Sequence, residues 1–113
     1  MNKKRISFRE AITNGALNDM VLQNLGNIAK LNHEVLKEYM KKIVCAGNTH
    51  LEIDLSGVHN IDNEWFDTFN FLSRLAKKYG SQVTLTGVES EVMEIIELIR
   101  KYYFFDIREV QPV

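Results

Sequence analysis

Apolar residues recur along this chain with two periods, and the changes from one to the other divide it into short elements. Ile6, Phe8 and Ile12 alternate with Ser7, Arg9 and Ala11. Asn14-Gly15 then offers a tight turn and MVLQNL a second strand, so the start of the chain is predicted to form a hairpin. From Leu31 to Val44 the apolar positions Leu31, Val35, Leu36, Tyr39, Met40 and Ile43 fall three and four apart, which predicts a helix capped by Asn32 and ended by Gly47. Leu51, Ile53 and Leu55 alternate with Glu52 and Asp54, the mark of a strand with one apolar and one polar face.

Trp65, Phe69, Leu72, Leu75, Ala76 and Tyr79 share one face of a second helix, and Gly80 stands where a left-handed C-terminal residue is expected. Val83 and Leu85 mark the next strand. Ser90 is placed to cap a third helix with an apolar stripe of Val92, Ile95, Ile96, Ile99 and Tyr103, and Phe105 and Ile107 suggest a last strand. Strands separated by helices pair in parallel through right-handed crossovers, whereas hairpin strands pair antiparallel. The prediction is an α/β fold with a mixed β-sheet. Because the strands alternate instead of being apolar throughout, the helices are expected mainly on one face.

Composition narrows the function. The chain has 113 residues, enough for one core, and is expected to form a single domain over 1–113. Its 14 basic and 15 acidic residues leave a formal net charge of -1, so there is no basic footprint for nucleic acid. No segment reads as a signal peptide or a bilayer span, which points to a cytoplasmic protein without direct membrane insertion. Cys45, the sole cysteine, cannot form an internal disulfide and reads as a buried or half-buried thiol.

No arrangement of nucleophile, base and charge stabiliser stands out, so an enzyme is not expected. His33, His50 and His59 have no metal-ligand spacing, and neither a metal nor another cofactor is anticipated. Asp54, Asp62, Glu64 and Asp67 cluster in sequence and could serve acid/base chemistry or a hard cation. Helix capping explains most of them: Asp62 or Asn63 can accept from free amides, and Glu64 and Asp67 lie near the positive end of the helix dipole. Phe66 lies about 100° around the helix from Trp65, outside the main stripe. It is either covered by a loop or by the N-terminal hairpin, or it anchors a partner.

In order and spacing the chain resembles the STAS family, which includes bacterial anti-sigma-factor antagonists and modules of anion transporters and lipid-transport systems. MVLQNLGNIAKLNHEVLKEYMKKI looks like the family's second strand, glycine turn and first helix. THLEIDLSGVHNID looks like its central strand and signature loop, and SQVTLTGVESEVMEIIELI like the strand and helix that follow. In the antagonists, the Asp matching Asp62 is followed by a serine that a partner kinase phosphorylates, then Ser or Thr, then Gly. This chain has Asn63, Glu64 and Trp65 there, and Asn63 has no hydroxyl to accept phosphate.

The resemblance implies a non-enzymatic bacterial protein-interaction module that binds a regulatory partner through Asp62, Asn63, Glu64 and Phe66, without the serine switch. Its partner would be like an anti-sigma kinase or an ATPase subunit. The alternatives are an accessory subunit of a lipid-transport ATPase complex and a small enzyme or ligand-binding domain using the acidic cluster.

Overall fold

The computed structural model describes residues 1–13 and 28–113. In chain order the elements are β1 (Asn2–Ser7), α1 (Phe8–Thr13), α2 (Ile28–Cys45), β2 (Thr49–Asp54), α3 (Asn63–Tyr79), β3 (Gln82–Val88), α4 (Ser90–Tyr102) and β4 (Val110–Pro112). The four strands form one sheet in the order β1-β2-β3-β4, and every pairing among the described residues is parallel. The antiparallel partner predicted at MVLQNL lies outside the described residues.

Register gives the sheet two unlike faces. Ile6 stands opposite Ile53, and Ile53 opposite Leu85, so successive strands bring apolar side chains to the same side. That side is packed against α2 and α3, which also pack on each other. Leu36, Met40 and Val44 of α2 and Phe69 and Leu72 of α3 are completely buried there. Arg5, Glu52, Asp54 and Thr84 belong to the other side. On it Lys3 and Arg5 reach Glu52 at 3.3 and 3.1 Å, and His50 Nε2 meets Thr84 Oγ1 at 2.9 Å. The helices thus lie mainly on one face, as the alternation predicts. Cys45 is half-buried at the end of α2.

Some elements differ from their sequence pattern. Phe8 and Ile12 belong to α1, not to an extended first strand. Phe8, Ala11 and Ile12 also fit a spacing of three and four, and Phe8 and Ala11 enter the core. The Ser7 hydroxyl accepts from the Glu10 amide at 3.5 Å, a long contact at the helix start that the short alternation hides. Helix α2 begins at Ile28, so Asn32 lies within it instead of capping it.

The N-cap of α4 is Glu89, whose side chain does not cap the helix, while the Ser90 hydroxyl donates to Glu91 Oε1 at 2.8 Å. Phe105 and Ile107 precede the last strand and are not part of it. Ile107 still enters the core, but its carbonyl and that of Arg108 accept from Arg100 Nη2 at 2.9 and 3.1 Å, which occupies acceptors that strand pairing would use. Pairing starts later, where the Leu85 amide donates to the Glu109 carbonyl.

Gly87 joins the sheet to the loop after β2. Its φ is +60°, and a Cβ there would lie 2.1 Å from Ser56 Oγ and 2.6 Å from Asp54 Oδ1. Gly87→Ala is expected to destabilise the fold by at least about 1–3 kcal/mol, from backbone strain with a steric clash added. Urea unfolding measures the loss, and an unchanged midpoint would mean that the Ser56 loop moves aside freely.

Candidate functional site

The loop from β2 to α3 is shaped by its own side chains. Asp54 Oδ1 accepts from the Ser56 amide at 2.9 Å and from the Ser56 hydroxyl at 2.6 Å, while its other oxygen pairs with Arg5. Gly57, at φ +77°, donates its amide to Glu89 Oε2 at 3.0 Å. Burial pushes the Asp54 carboxyl up, but the Ser56 hydrogen bonds and the Arg5 guanidinium outweigh it and hold the group below the usual carboxylate value. Asp54 is therefore committed to loop closure. Val58 and Ile61 are buried and pin the rest of the loop to the core.

The polar residues of the site emerge beyond Ile61. Asp62 caps α3, its Oδ1 accepting from the Trp65 amide at 3.1 Å. Asp62, Asn63 and Glu64 are exposed in sequence, at the positive end of the helix dipole. The capping role expected of Asp62 is thus present in the geometry. Directly behind this turn, Trp65 meets Phe8 edge-on at 4.7 Å and His33 at 4.4 Å, with Phe69 at 6.0 Å. Its indole fastens the first turn of α3 to α1 and α2.

Phe66 is covered and offers no exposed ring. It is 3% exposed, with the Phe69 and Phe105 rings at 6.3 and 6.2 Å. Of the two readings from sequence, the covered one describes its environment, and the cover is the segment after α4. That segment is tied to α3 by Asn70, which donates to the Phe104 carbonyl at 2.9 Å and accepts from the Asp106 amide. Lys77 also reaches Asp106 at 2.9 Å. Between α3 and this segment lies an open depression of about 380 Å³ with Asn63, Phe66, Asp67 and Tyr103 among its lining residues. Phe66 therefore contributes to the floor beside Asn63.

On the other side of the turn lie His33, which the sequence offered only as a histidine without metal-ligand spacing, and Glu34, which it did not single out. His33 Nε2 meets Thr68 Oγ1 at 2.9 Å, and its Nδ1 lies 3.1 Å from Glu64 Oε1 and 3.7 Å from Glu34 Oε1. His33 and Thr68 are 8% and 4% exposed. Thr68, His33 and Glu64 have the order of nucleophile, base and carboxylate, but a hydroxyl so deeply covered cannot meet a substrate. Of the acidic residues clustered in sequence, Glu64 joins this group, whereas Asp54 turns to Arg5 and Ser56 and Asp62 to the helix amides. Only spatial proximity links His33 to Glu64, so no local motif could have revealed it.

The family profile described as "Mlab, STAS domain" matches residues 13–101 of the chain. No curated protein matches it. Among the described residues, no helix is long and apolar enough to cross a membrane.

Phe66→Ala is expected to lower stability by roughly 3–5 kcal/mol, the usual loss for a buried Phe, and Asp62→Ala by about 1 kcal/mol through loss of the cap. Chemical denaturation distinguishes the two. For Asp54 the folded carboxyl lies below its unfolded value, so its contribution is fully present above the unfolded pKa of about 4 and is lost as pH falls through the folded value. Asp54→Asn should flatten the acid limb of a plot of stability against pH, and an unchanged limb would contradict that assignment.

Proposed function

We propose, because the chain belongs to the STAS domain family, that residues 1–113 act as one non-enzymatic module that binds a regulatory protein partner through the start of α3. The observation that carries this reading is the exposure of Asp62, Asn63 and Glu64 in sequence on a turn fixed from behind by Trp65. A surface held in one conformation loses little entropy on binding. Phe66 supports this surface from below, as part of the floor of the adjoining depression.

The partner is a protein of the kind that STAS modules recognise, resembling an anti-sigma kinase or an ATPase subunit. Recognition here proceeds without phosphate on residue 63, since Asn63 has no hydroxyl. Phosphate would add nearly two negative charges to a turn that already carries Asp62 and Glu64. A permanently unphosphorylated turn favours a second reading as well, in which the module is a standing accessory subunit of a lipid-transport ATPase complex. Both readings place it in the cytoplasm of a bacterium.

Affinity purification of the full chain from its native host identifies the partner. Asn63→Arg, which adds bulk and positive charge to the exposed turn, should reduce capture at least tenfold, as loss of an interface hot spot does, while costing at most about 1 kcal/mol of stability from the cation at the helix N-terminus. Equal capture by this variant would remove the turn from the interface. In mass spectrometry after incubation with a serine kinase of this family, Ile61 to Trp65 should remain unmodified. The nearby hydroxyls differ in access, since Ser56 is exposed and Thr68 is buried. Stoichiometric phosphate on Ser56 would mean that control has moved to that residue.

A further inference from the structure

Helices α2 and α3 bring one nitrogen of His33 and carboxylate oxygens of Glu34 and Glu64 within 4.8 Å of one another. The two carboxylates alone would be an ordinary solvated pair, with side chains 58% and 66% exposed. The histidine makes the difference. It is 8% exposed, and among the described residues its Nδ1 makes no hydrogen bond although both carboxylates stand in front of it, at 3.1 and 3.7 Å. Buried polar nitrogens are almost always satisfied, so one that faces two carboxylates and hydrogen-bonds to neither points to something bound between them.

We propose that His33, Glu34 and Glu64 form a binding site for a divalent transition-metal cation of the zinc type, which clamps α2 to the first turn of α3. The spacing agrees with that chemistry. Ligand bonds of about 2.0–2.2 Å in a tetrahedron place neighbouring ligand atoms ~3.4 Å apart. The two distances from Nδ1, 3.1 and 3.7 Å, bracket that value, and both glutamates are exposed enough to adjust. One imidazole and two carboxylates suit zinc or a similar borderline metal, whereas calcium and magnesium prefer oxygen ligands alone. Three protein ligands leave a fourth position for water.

The surroundings of His33 fit a ligand. Metal-binding histidines usually donate their other N–H to an oxygen, which fixes the tautomer and aims the free lone pair. Here Nε2 faces Thr68 Oγ1 at 2.9 Å, so donation from Nε2 leaves the lone pair on Nδ1. The Trp65 ring, edge-on to the imidazole at 4.4 Å, holds its plane. None of this depends on the partner proposed above, and metal binding is read without one.

The full chain, stripped with a chelator and dialysed, is titrated with zinc chloride by calorimetry and with cobalt(II) by visible absorption. One equivalent of zinc is expected, with a rise in thermal midpoint. Glu34→Gln and Glu64→Gln should each weaken uptake about tenfold or more, and the double variant should abolish it. His33→Gln should do the same. If that variant fails to fold, the exposed glutamate variants decide the question. His59→Ala, which removes the imidazole of the exposed His59–Glu91 pair, should bind like the parent. Absence of saturable uptake, equal uptake by the double glutamate variant, or loss with His59→Ala would overturn the proposal.

Discussion

The parallel register that sets Ile6 beside Ile53 and Ile53 beside Leu85 is the constraint on which the other features rest. A slip of one residue in either pairing would turn a strand's apolar side chains to the opposite face. With the register fixed, α2 and α3 have one apolar surface to cover and must lie side by side on it. That adjacency brings His33 beside Trp65 and Glu64. The sheet's other face carries pairs such as Arg5 with Glu52, in which an exposed guanidinium meets a largely covered carboxylate. Specificity of pairing resides in the apolar face.

The start of α3 is held in two ways, both at Trp65. Asp62 satisfies the Trp65 amide from outside, and the Trp65 indole is wedged among Phe8, His33 and Phe69 from inside. The same residue supplies both the amide and the ring. A small residue at 65, as in the antagonists that this loop resembles, would keep the amide and lose the wedge. Trp65 thus exchanges loop freedom for packing. A turn fixed in this way suits recognition that does not wait for a covalent switch.

Features carried by neighbouring residues were legible in the sequence. The helix from Asn63 to Tyr79, its cap at Asp62 and its stop at Gly80 all follow from local chemistry: a carboxylate three residues before an amide, and a glycine able to take φ of 69°. Features carried by distant pairs were not. Phe8 alternates with Ile6 as well as any strand residue, and the burial of Phe8 together with Ala11 in the core decides for the helix from Phe8 to Thr13. Phe105 looks like a strand residue until Asn70 ties its segment across Phe66. The histidine and glutamates of α2 and α3 belong to separate amphipathic patterns, each complete without the other.

Glu64 shows why the site is more than an exposed loop. Its neighbours Asp62 and Asn63 face solvent, but Glu64 has one end of its reach in water and the other at the buried Nδ1 of His33. Behind His33 stand Thr68 of α3 and the Trp65 ring. A change in the charge or position of Glu64 therefore acts directly on a side chain packed between two helices, whereas a change at Asn63 acts only on the surface. Residues 63 and 64, adjacent in the chain, are mechanically different: one belongs to the surface alone, and the other couples that surface to the contact between α2 and α3.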